Sequence, residues 1–232
     1  MKIVPASDSS LLVVFGDTIS AALHRQVMAL FHALQAKRDP SIRNLHPGYA
    51  SLLIDFDPLR VTHDELTALV QRLESAGTAS TGDSVVVIPV CYHSEFGPDL
   101  ADVAAHAGLS VEEVIRLHTS PTYLVYFLGF TPGFAYLGGL PEPLHTARLA
   151  TPRISVAAGS VGIAGSQTGI YPVDSPGGWR LIGRTPLRMF DSEASTPARL
   201  QPGDRMSFVP IERETFETLQ RCGGIPSARL DS

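Results

Sequence analysis

GSVGIAGSQTGIYPVDSPGGWRLIGRTP, residues 159–186, is the stretch that decides the fold of the second half of this chain. Short apolar runs alternate in it with glycine, proline and small polar residues. Twelve of the 20 glycines and nine of the 18 prolines in the chain lie between residues 129 and 203. Because this density is typical of short strands joined by tight turns, we predict an all-β domain, barrel-like or sandwich-like, over residues 121–210.

The first 90 residues have a different pattern, in which strands alternate with helices. A helix is predicted to begin near residue 18, and Thr62 with Glu65 forms a capping box that begins a second one. The order of elements, β-α-β-β-α-β, predicts a ferredoxin-like domain over residues 1–90. The predicted strands cover residues 11–15, 42–45, 51–56 and 85–90.

Two short helices are predicted between these domains, over residues 98–107 and from Ser110 to His118. Gly108 follows the first, and Ser110 with Glu113 forms a capping box that begins the second. We therefore assign residues 91–232 to a helical connector followed by the β-domain. The predicted fold class is α+β.

Composition limits the function. The chain has 232 residues, 44% of them hydrophobic, a net charge of -5 and a pI of about 5.9. No basic surface for nucleic acid or an anionic membrane follows, and no apolar run is long enough to cross a bilayer, so we expect a cytoplasmic protein. Two isolated cysteines and eight scattered histidines predict no metal site. Sixteen of the 18 basic residues are arginine, which binds carboxylates and phosphates bidentately.

The segment GSVGIAGSQTG, residues 159–169, invites comparison with a phosphate loop. It lacks the Gly-x4-Gly-Lys spacing, and no lysine occurs beyond residue 37. A conventional nucleotide loop is thus excluded, and a tight pair of strands is the simpler interpretation. Ser160 and Gln167 remain candidate donors to a pocket.

The segment YPVDSPGGWRLIGRTP, residues 171–186, predicts a pocket. Gly177 and Gly178 would let the backbone approach a ligand, Trp179 would supply a flat wall, and Arg180 or Arg184 would bind an anion. The alternative is that Trp179 belongs to the core and both arginines are solvated.

Three further features are candidates for a site. GFTPGFAYLGGL, residues 129–140, sets Phe130, Phe134 and Tyr136 around a turn, as an aromatic rim or as a plug in the barrel. Arg153 follows in a loop-like segment and is a candidate anion ligand. His118 ends a predicted helix, where it would act as an acid or base, or interact with the helix dipole.

Five segments of the chain together carry a family resemblance: HPGYASLLIDFDP (residues 46–58), EFGPDL (95–100), GFTPGFAYLGGL (129–140), residues 151–187, and LQPGDRMSFVP (200–210). They resemble the B-subunit family of 5-oxoprolinases, also known as allophanate hydrolase subunit 1 and as the kinase-inhibitor protein of sporulating bacilli. The resemblance runs from about residue 8 to residue 211. It implies a ferredoxin-like domain followed by a cyclophilin-like β-barrel.

The resemblance also implies a reaction. Together with the A and C subunits of the enzyme, such a protein hydrolyses 5-oxo-L-proline to L-glutamate at the expense of ATP, through phosphorylation of the lactam oxygen and attack of water. The site must then bind a carboxylate and phosphate charges. The residues assigned to catalysis are His118, Arg153 and Arg184. Those assigned to substrate binding are Phe134, Gln167, Tyr171, Gly177, Gly178 and Trp179.

Two other functions remain open on the sequence. Urea carboxylase and allophanate systems carry a similar barrel, so a substrate-activating subunit of that type is the second enzymatic interpretation. The third is a binding protein that inhibits a sensor histidine kinase. An apolar groove without arginine would favour the inhibitor, whereas an arginine-lined pocket would favour the enzyme.

Overall fold

The structure is a computed structural model that describes residues 1–74 and 85–222 and the backbone of Arg229–Leu230. The chain divides into two compact units, Met1–Gly82 and Asp83–Ser232. Among the described residues, none of the helices combines the length and the apolar character needed to cross a membrane.

The first unit is a four-stranded sheet with two helices. Its elements are β1 (Lys2–Ser7), β2 (Ser10–Val14), α1 (Ala21–Lys37), β3 (Ile42–Pro47), β4 (Ser51–Phe56) and α2 (His63–Glu74). The strands follow the order β1-β2-β4-β3, and each neighbouring pair is antiparallel. Alternate residues of β2 and β4 are buried against both helices, so one face of the sheet forms the core.

Local capping begins the two helices of the first unit. The Thr62 backbone N–H donates to the Glu65 carboxylate at 2.9 Å, and the Glu65 N–H donates back to the Thr62 hydroxyl at 3.3 Å. This confirms the predicted capping box. Helix α1 begins slightly later than predicted, because its N-cap is Ser20, whose hydroxyl accepts from the Ala22 N–H.

The second unit is built on a curved sheet. Its helices are α3 (Leu100–Ala107), α4 (Val111–Thr119) and α5 (Arg213–Arg221), with a 3-10 turn at Glu142–Leu144. Its strands are β5 (Val85–Val90), β6 (Tyr123–Leu128), β7 (Ala135–Gly138), β8 (Arg153–Val156), β9 (Ser160–Ala164), β10 (Gln167–Ile170), β11 (Ser175–Gly177), β12 (Arg180–Arg184), β13 (Arg205–Pro210) and β14 (Arg229–Leu230).

The sheet of the second unit is nearly closed. Within the described residues it has eight strands in the order β12-β9-β10-β7-β6-β13-β5-β14, and β8 pairs with β11 in a separate ribbon. Cys91, which follows β5, exchanges backbone hydrogen bonds of 2.9 and 3.0 Å with Arg184 of β12. This bridge joins the two sides of the sheet and is consistent with the predicted cyclophilin-like barrel.

The assignment of residues 85–90 to the N-terminal domain is wrong. Strand β5 pairs in parallel with β13, and Val86, Ile88 and Val90 are buried in the core of the barrel. In the first unit, the outer strand beside β2 is instead β1, which was not predicted. The order found among the described residues of that unit is ββαββα, so the predicted ferredoxin-like domain is not confirmed.

The predicted connector helices are confirmed as α3 and α4. Gly108 ends α3 in a left-handed conformation, and the Ser110 hydroxyl caps α4 by accepting from the Glu113 N–H at 3.1 Å. Leu100 and Val103 of α3 and Val114 of α4 are buried with the strands. The two helices therefore belong to the hydrophobic core of the barrel unit.

Candidate functional site

A cavity of about 260 Å³ opens in the second unit beside β7 and β11. Its walls combine aromatic side chains, two glycines and one arginine. A concave, mainly apolar site with few polar groups is the usual form of a small-molecule pocket. The lining residues are Phe130, Phe134, Tyr136, Arg148, Leu149, Pro152, Tyr171, Pro176, Gly177, Gly178 and Trp179.

Phe134 is the central residue of the aromatic wall. Its ring centroid lies 5.2 Å from that of Tyr171 and 5.4 Å from that of Trp179, with interplanar angles of 81° and 89°. Such edge-to-face contacts are favourable because the positive edge of one ring meets the negative face of the other. All three side chains are buried. The close packing holds the wall in one arrangement.

The two adjacent glycines allow the wall to close. A Cβ on Gly177 would lie 2.4 Å from the hydroxyl oxygen of Tyr171, so only glycine leaves room for that phenol. The carbonyl of Gly178 accepts a 2.7 Å hydrogen bond from the Leu149 N–H. This bond attaches the loop that carries Arg148 to Gly178 in the lining of the cavity.

Phe130 forms an exposed edge of the cavity. Its backbone has φ of +66°, a left-handed conformation that a phenylalanine adopts only when its surroundings impose it. The turn is fixed by hydrogen bonds from Gly129 to the Phe134 carbonyl and from Phe134 to the Thr131 carbonyl, both 3.0 Å. The Phe130 ring is 62% exposed and contacts Phe134 and Tyr171 edge to face.

The lining of the cavity carries two phenols and one cation. Burial raises the pKa of Tyr136, and the charge of Arg148 partly opposes that rise. Burial also raises the pKa of Tyr171, against smaller effects of the Trp179 backbone N–H and Arg148. Both phenols are therefore uncharged at neutral pH and can donate hydrogen bonds to an anion.

Comparison with known proteins shows the family to which this chain belongs. The family profile described as "Carboxyltransferase domain, subdomain C and D" matches residues 1–200. The 5-oxoprolinase B subunit of Escherichia coli O157:H7 is 47% identical over 74% of this chain and 79% of its own length. That of Bacillus subtilis strain 168 is 38% identical over 93% and 95%. This chain belongs to the B-subunit family of 5-oxoprolinases.

Solved structures share the fold. The crystal structure of TTHA0988 is 39% identical with a TM-score of 0.81, covering 88% of this chain and 40% of that chain. The present chain thus spans about 40% of the length of that relative. Urea carboxylase from Kluyveromyces lactis has a TM-score of 0.74 at 21% identity, which shows a shared fold alone. A urea amidolyase of Saccharomyces cerevisiae is a distant relative at 24% identity.

The predicted aromatic and glycine residues of this 5-oxoprolinase family member lie together. Phe134, Tyr171, Gly177, Gly178 and Trp179 all line the cavity. Their binding of a substrate stays a prediction, but the geometry that it requires is present. Trp179 is at once buried and part of the wall, so both interpretations of that residue hold.

The predicted arginines lie outside the cavity lining. Arg153 donates to the buried carboxylate of Asp99 at 2.7 Å, and the other oxygen of Asp99 accepts from the Leu181 N–H at 2.7 Å. Arg184 donates through Nε to the carbonyl of Ala158 at 2.8 Å. Both guanidinium groups therefore hold loops and strands together in this structure.

His118 is a buried core residue. Its Nδ1 lies 2.8 Å from the Tyr92 hydroxyl and its Nε2 lies 2.9 Å from the Thr168 hydroxyl, which donates to the Gly162 carbonyl. The hydrogen on Nε2 is thus directed at Thr168, and Nδ1 accepts from Tyr92. The ring stacks on Phe208, and burial lowers the pKa of His118 to about 3.

The His118 ring is neutral and therefore cannot interact with the helix dipole as a cation. It lies in the core and does not line the cavity. Gln167 begins β10 and Ser160 begins β9, and neither lines the cavity. Arg148 is the functional candidate that the sequence reasoning passed over in favour of Arg153. Arg148 lies only five positions before Arg153 in the sequence. Nothing in the sequence showed which of the two arginines would form an ion pair with Asp99.

Proposed function

We propose that this chain is the B subunit of an ATP-dependent 5-oxoprolinase, which opens 5-oxo-L-proline to L-glutamate together with the A and C subunits. The observation that carries the proposal is the aromatic cavity in the barrel of a protein from this 5-oxoprolinase family. The relatives support the subunit assignment, and the cavity supplies a place for the substrate.

The cavity suits a small cyclic amide. Pockets for drug-sized ligands measure roughly 300–1,000 Å³, so a cavity of about 260 Å³ fits a smaller molecule. The apolar part of a lactam ring would pack against Phe134 and Trp179. The phenols of Tyr136 and Tyr171 are protonated at neutral pH and would donate to its polar atoms.

ATP is proposed as the second substrate because an amide carbonyl is a poor electrophile. Transfer of the γ-phosphoryl group to the lactam oxygen makes that oxygen part of a leaving group and produces ADP. One water then adds to the same carbon and the ring C–N bond breaks, with the nitrogen taking a proton. A second water hydrolyses the resulting acyl phosphate to glutamate and phosphate.

We place the phosphates of ATP outside this cavity. A triphosphate requires several positive groups or a metal ion, and the lining contains one arginine. Arg153 is already paired with Asp99, which removes it as a free cation. The proposal therefore assigns phosphate binding to groups that the partner subunits contribute.

Reconstitution tests the proposal. The chain is co-expressed with its candidate partner subunits, and the purified complex is assayed for glutamate released from 5-oxo-L-proline with and without ATP. We expect release that depends on ATP and on the presence of this chain. A complex that is inactive on 5-oxo-L-proline yet converts urea or allophanate would replace the proposal with the urea carboxylase type of function.

The kinase-inhibitor function has a distinct expectation. It requires a surface suited to an apolar protein segment, whereas the charge of Arg148 acts on both phenols of this cavity. That feature favours a small anionic ligand. Inhibition of a sensor kinase by the chain, together with an inactive complex, would contradict the enzymatic proposal.

A further inference from the structure

We propose that Arg148 binds the carboxylate of the substrate and makes the cavity selective for a carboxylated lactam over a neutral one. This inference rests on the function proposed above and names the residue that sets its specificity. Neither Arg153 nor Arg184, the arginines favoured by the sequence, is in the cavity lining.

Among the described residues, Arg148 differs from the arginines near it in having no ion-pair partner. Arg153 is bound to Asp99, Arg180 lies 3.7 Å from Asp102, and Arg184 donates to a backbone carbonyl. Within residues 1–74 and 85–222, no carboxylate lies within ion-pair distance of Arg148, and no protein group forms a hydrogen bond with its guanidinium. Its planar fork of donors is thus available to a ligand carboxylate.

The backbone on both sides of Arg148 is anchored. On one side, the carbonyl of Thr146 accepts a 2.7 Å hydrogen bond from the Gly165 N–H. On the other side, the N–H of Leu149 donates to the Gly178 carbonyl, also at 2.7 Å. The guanidinium therefore extends from a fixed segment, which reduces the entropy lost when it binds an anion.

The phenols of Tyr136 and Tyr171 are the second part of the anion site. Arg148, Tyr136 and Tyr171 all line the same cavity, and the positive charge of Arg148 lowers the pKa of both phenols against the effect of burial. A carboxylate placed there would receive donors from the guanidinium and from the neutral phenols. Its ring would then extend towards the wall formed by Trp179.

Trp179 provides a readout that is independent of activity. It is the only tryptophan in the chain and it lines the cavity, so its fluorescence reports occupancy of that site. The full chain is titrated with 5-oxo-L-proline and with 2-pyrrolidinone, the same lactam without the carboxylate. Arg148→Met is expected to raise the Kd for 5-oxo-L-proline about tenfold, and to leave the Kd for 2-pyrrolidinone unchanged.

Two further variants control the titration. Arg148→Lys keeps the charge but loses the fork, so its Kd should lie between those of the wild type and Arg148→Met. Arg188→Met removes an exposed arginine that pairs with Asp191 and does not line the cavity, so it should bind as the wild type does. Equal binding of 5-oxo-L-proline by Arg148→Met and the wild type would overturn the assignment.

The same variants in the reconstituted complex separate this inference from the proposed function. If Arg148 acts on the carboxylate in the ground state and the transition state alike, KM for 5-oxo-L-proline rises about tenfold and kcat stays unchanged. An active complex whose KM does not respond to Arg148→Met refutes the role of Arg148 and leaves the function standing. A wild-type complex that does not convert 5-oxo-L-proline refutes both.

Discussion

The buried histidine of the barrel predicts how its stability depends on pH. His118 is fully buried, and burial lowers its pKa to about 3, whereas an unfolded histidine has a pKa near 6.5. The folded state therefore favours the neutral ring, and its contribution to stability is complete above about pH 6.5. As the pH falls from 6.5 towards 3, the His118 imidazole becomes protonated in the unfolded chain but stays neutral in the folded chain. The free energy of unfolding therefore decreases.

The size of this effect follows from the two pKa values. At about pH 5 the unfolded histidine is largely protonated and the folded one is not, which lowers the free energy of unfolding by about 2 kcal/mol relative to neutral pH. Urea unfolding at about pH 7.5 and about pH 5, followed by Trp179 fluorescence, measures it in the unit that contains His118. His118→Gln cannot titrate and should lose about 2 kcal/mol less than the wild type between these values.

Two controls make this test specific. His106→Gln removes an exposed histidine of α3 and should keep the pH dependence of the wild type. The imidazole of His118 in the wild type should show no NMR titration between about pH 7.5 and about pH 5, a measurement that does not require the variant to be stable. Equal losses in the wild type and His118→Gln, or an imidazole that titrates near pH 6.5, would refute the reasoning.

Three substitutions test how the second unit is held together, all by urea unfolding. Gly177→Ala places a Cβ 2.4 Å from the Tyr171 hydroxyl and should lower the free energy of unfolding by about 1–3 kcal/mol. Gly178→Ala makes ordinary contacts from 3.6 Å and should lower it by less than about 0.5 kcal/mol. Equal stabilities of the two variants would contradict this account. Asp99→Asn removes the charge opposite Arg153, which is partly exposed, and should cost about 1–2 kcal/mol; an unchanged midpoint would show that the pair does not stabilise the fold.

Local signals in the sequence were sufficient for most of the elements. The capping boxes at Thr62 and Ser110 and the glycine after α3 mark real helix ends, because capping depends on neighbours a few residues apart. The partner of a strand is not a local property. Residues 85–90 alternate buried and half-buried positions, a pattern that suits either sheet.

The aromatic lining of the cavity was also predictable. Large side chains beside adjacent glycines, as at Gly177–Gly178–Trp179, have few ways to pack other than around a cavity or a core. The arginines were not predictable in the same way. The carboxylate that holds Arg153 is Asp99, 54 positions earlier, and the carbonyl that holds Arg184 is 26 positions earlier. A long arginine side chain can reach partners that do not follow from which face of the strand it lies on.

The charges in the cavity suggest how the proposed work is divided between subunits. In the proposed enzyme, the lactam and its carboxylate would be held by the residues that line this cavity, namely the aromatic wall, the neutral phenols of Tyr136 and Tyr171, and the guanidinium of Arg148. Phosphoryl transfer requires more positive charge than these groups supply. It also requires a base that activates water, and these groups do not supply one. His118 is neutral and sealed in the core, and Arg153 is neutralised by Asp99. In the proposed enzyme, this chain positions the substrate while a partner brings the phosphate chemistry to it, so variants of the cavity should change KM before they change kcat.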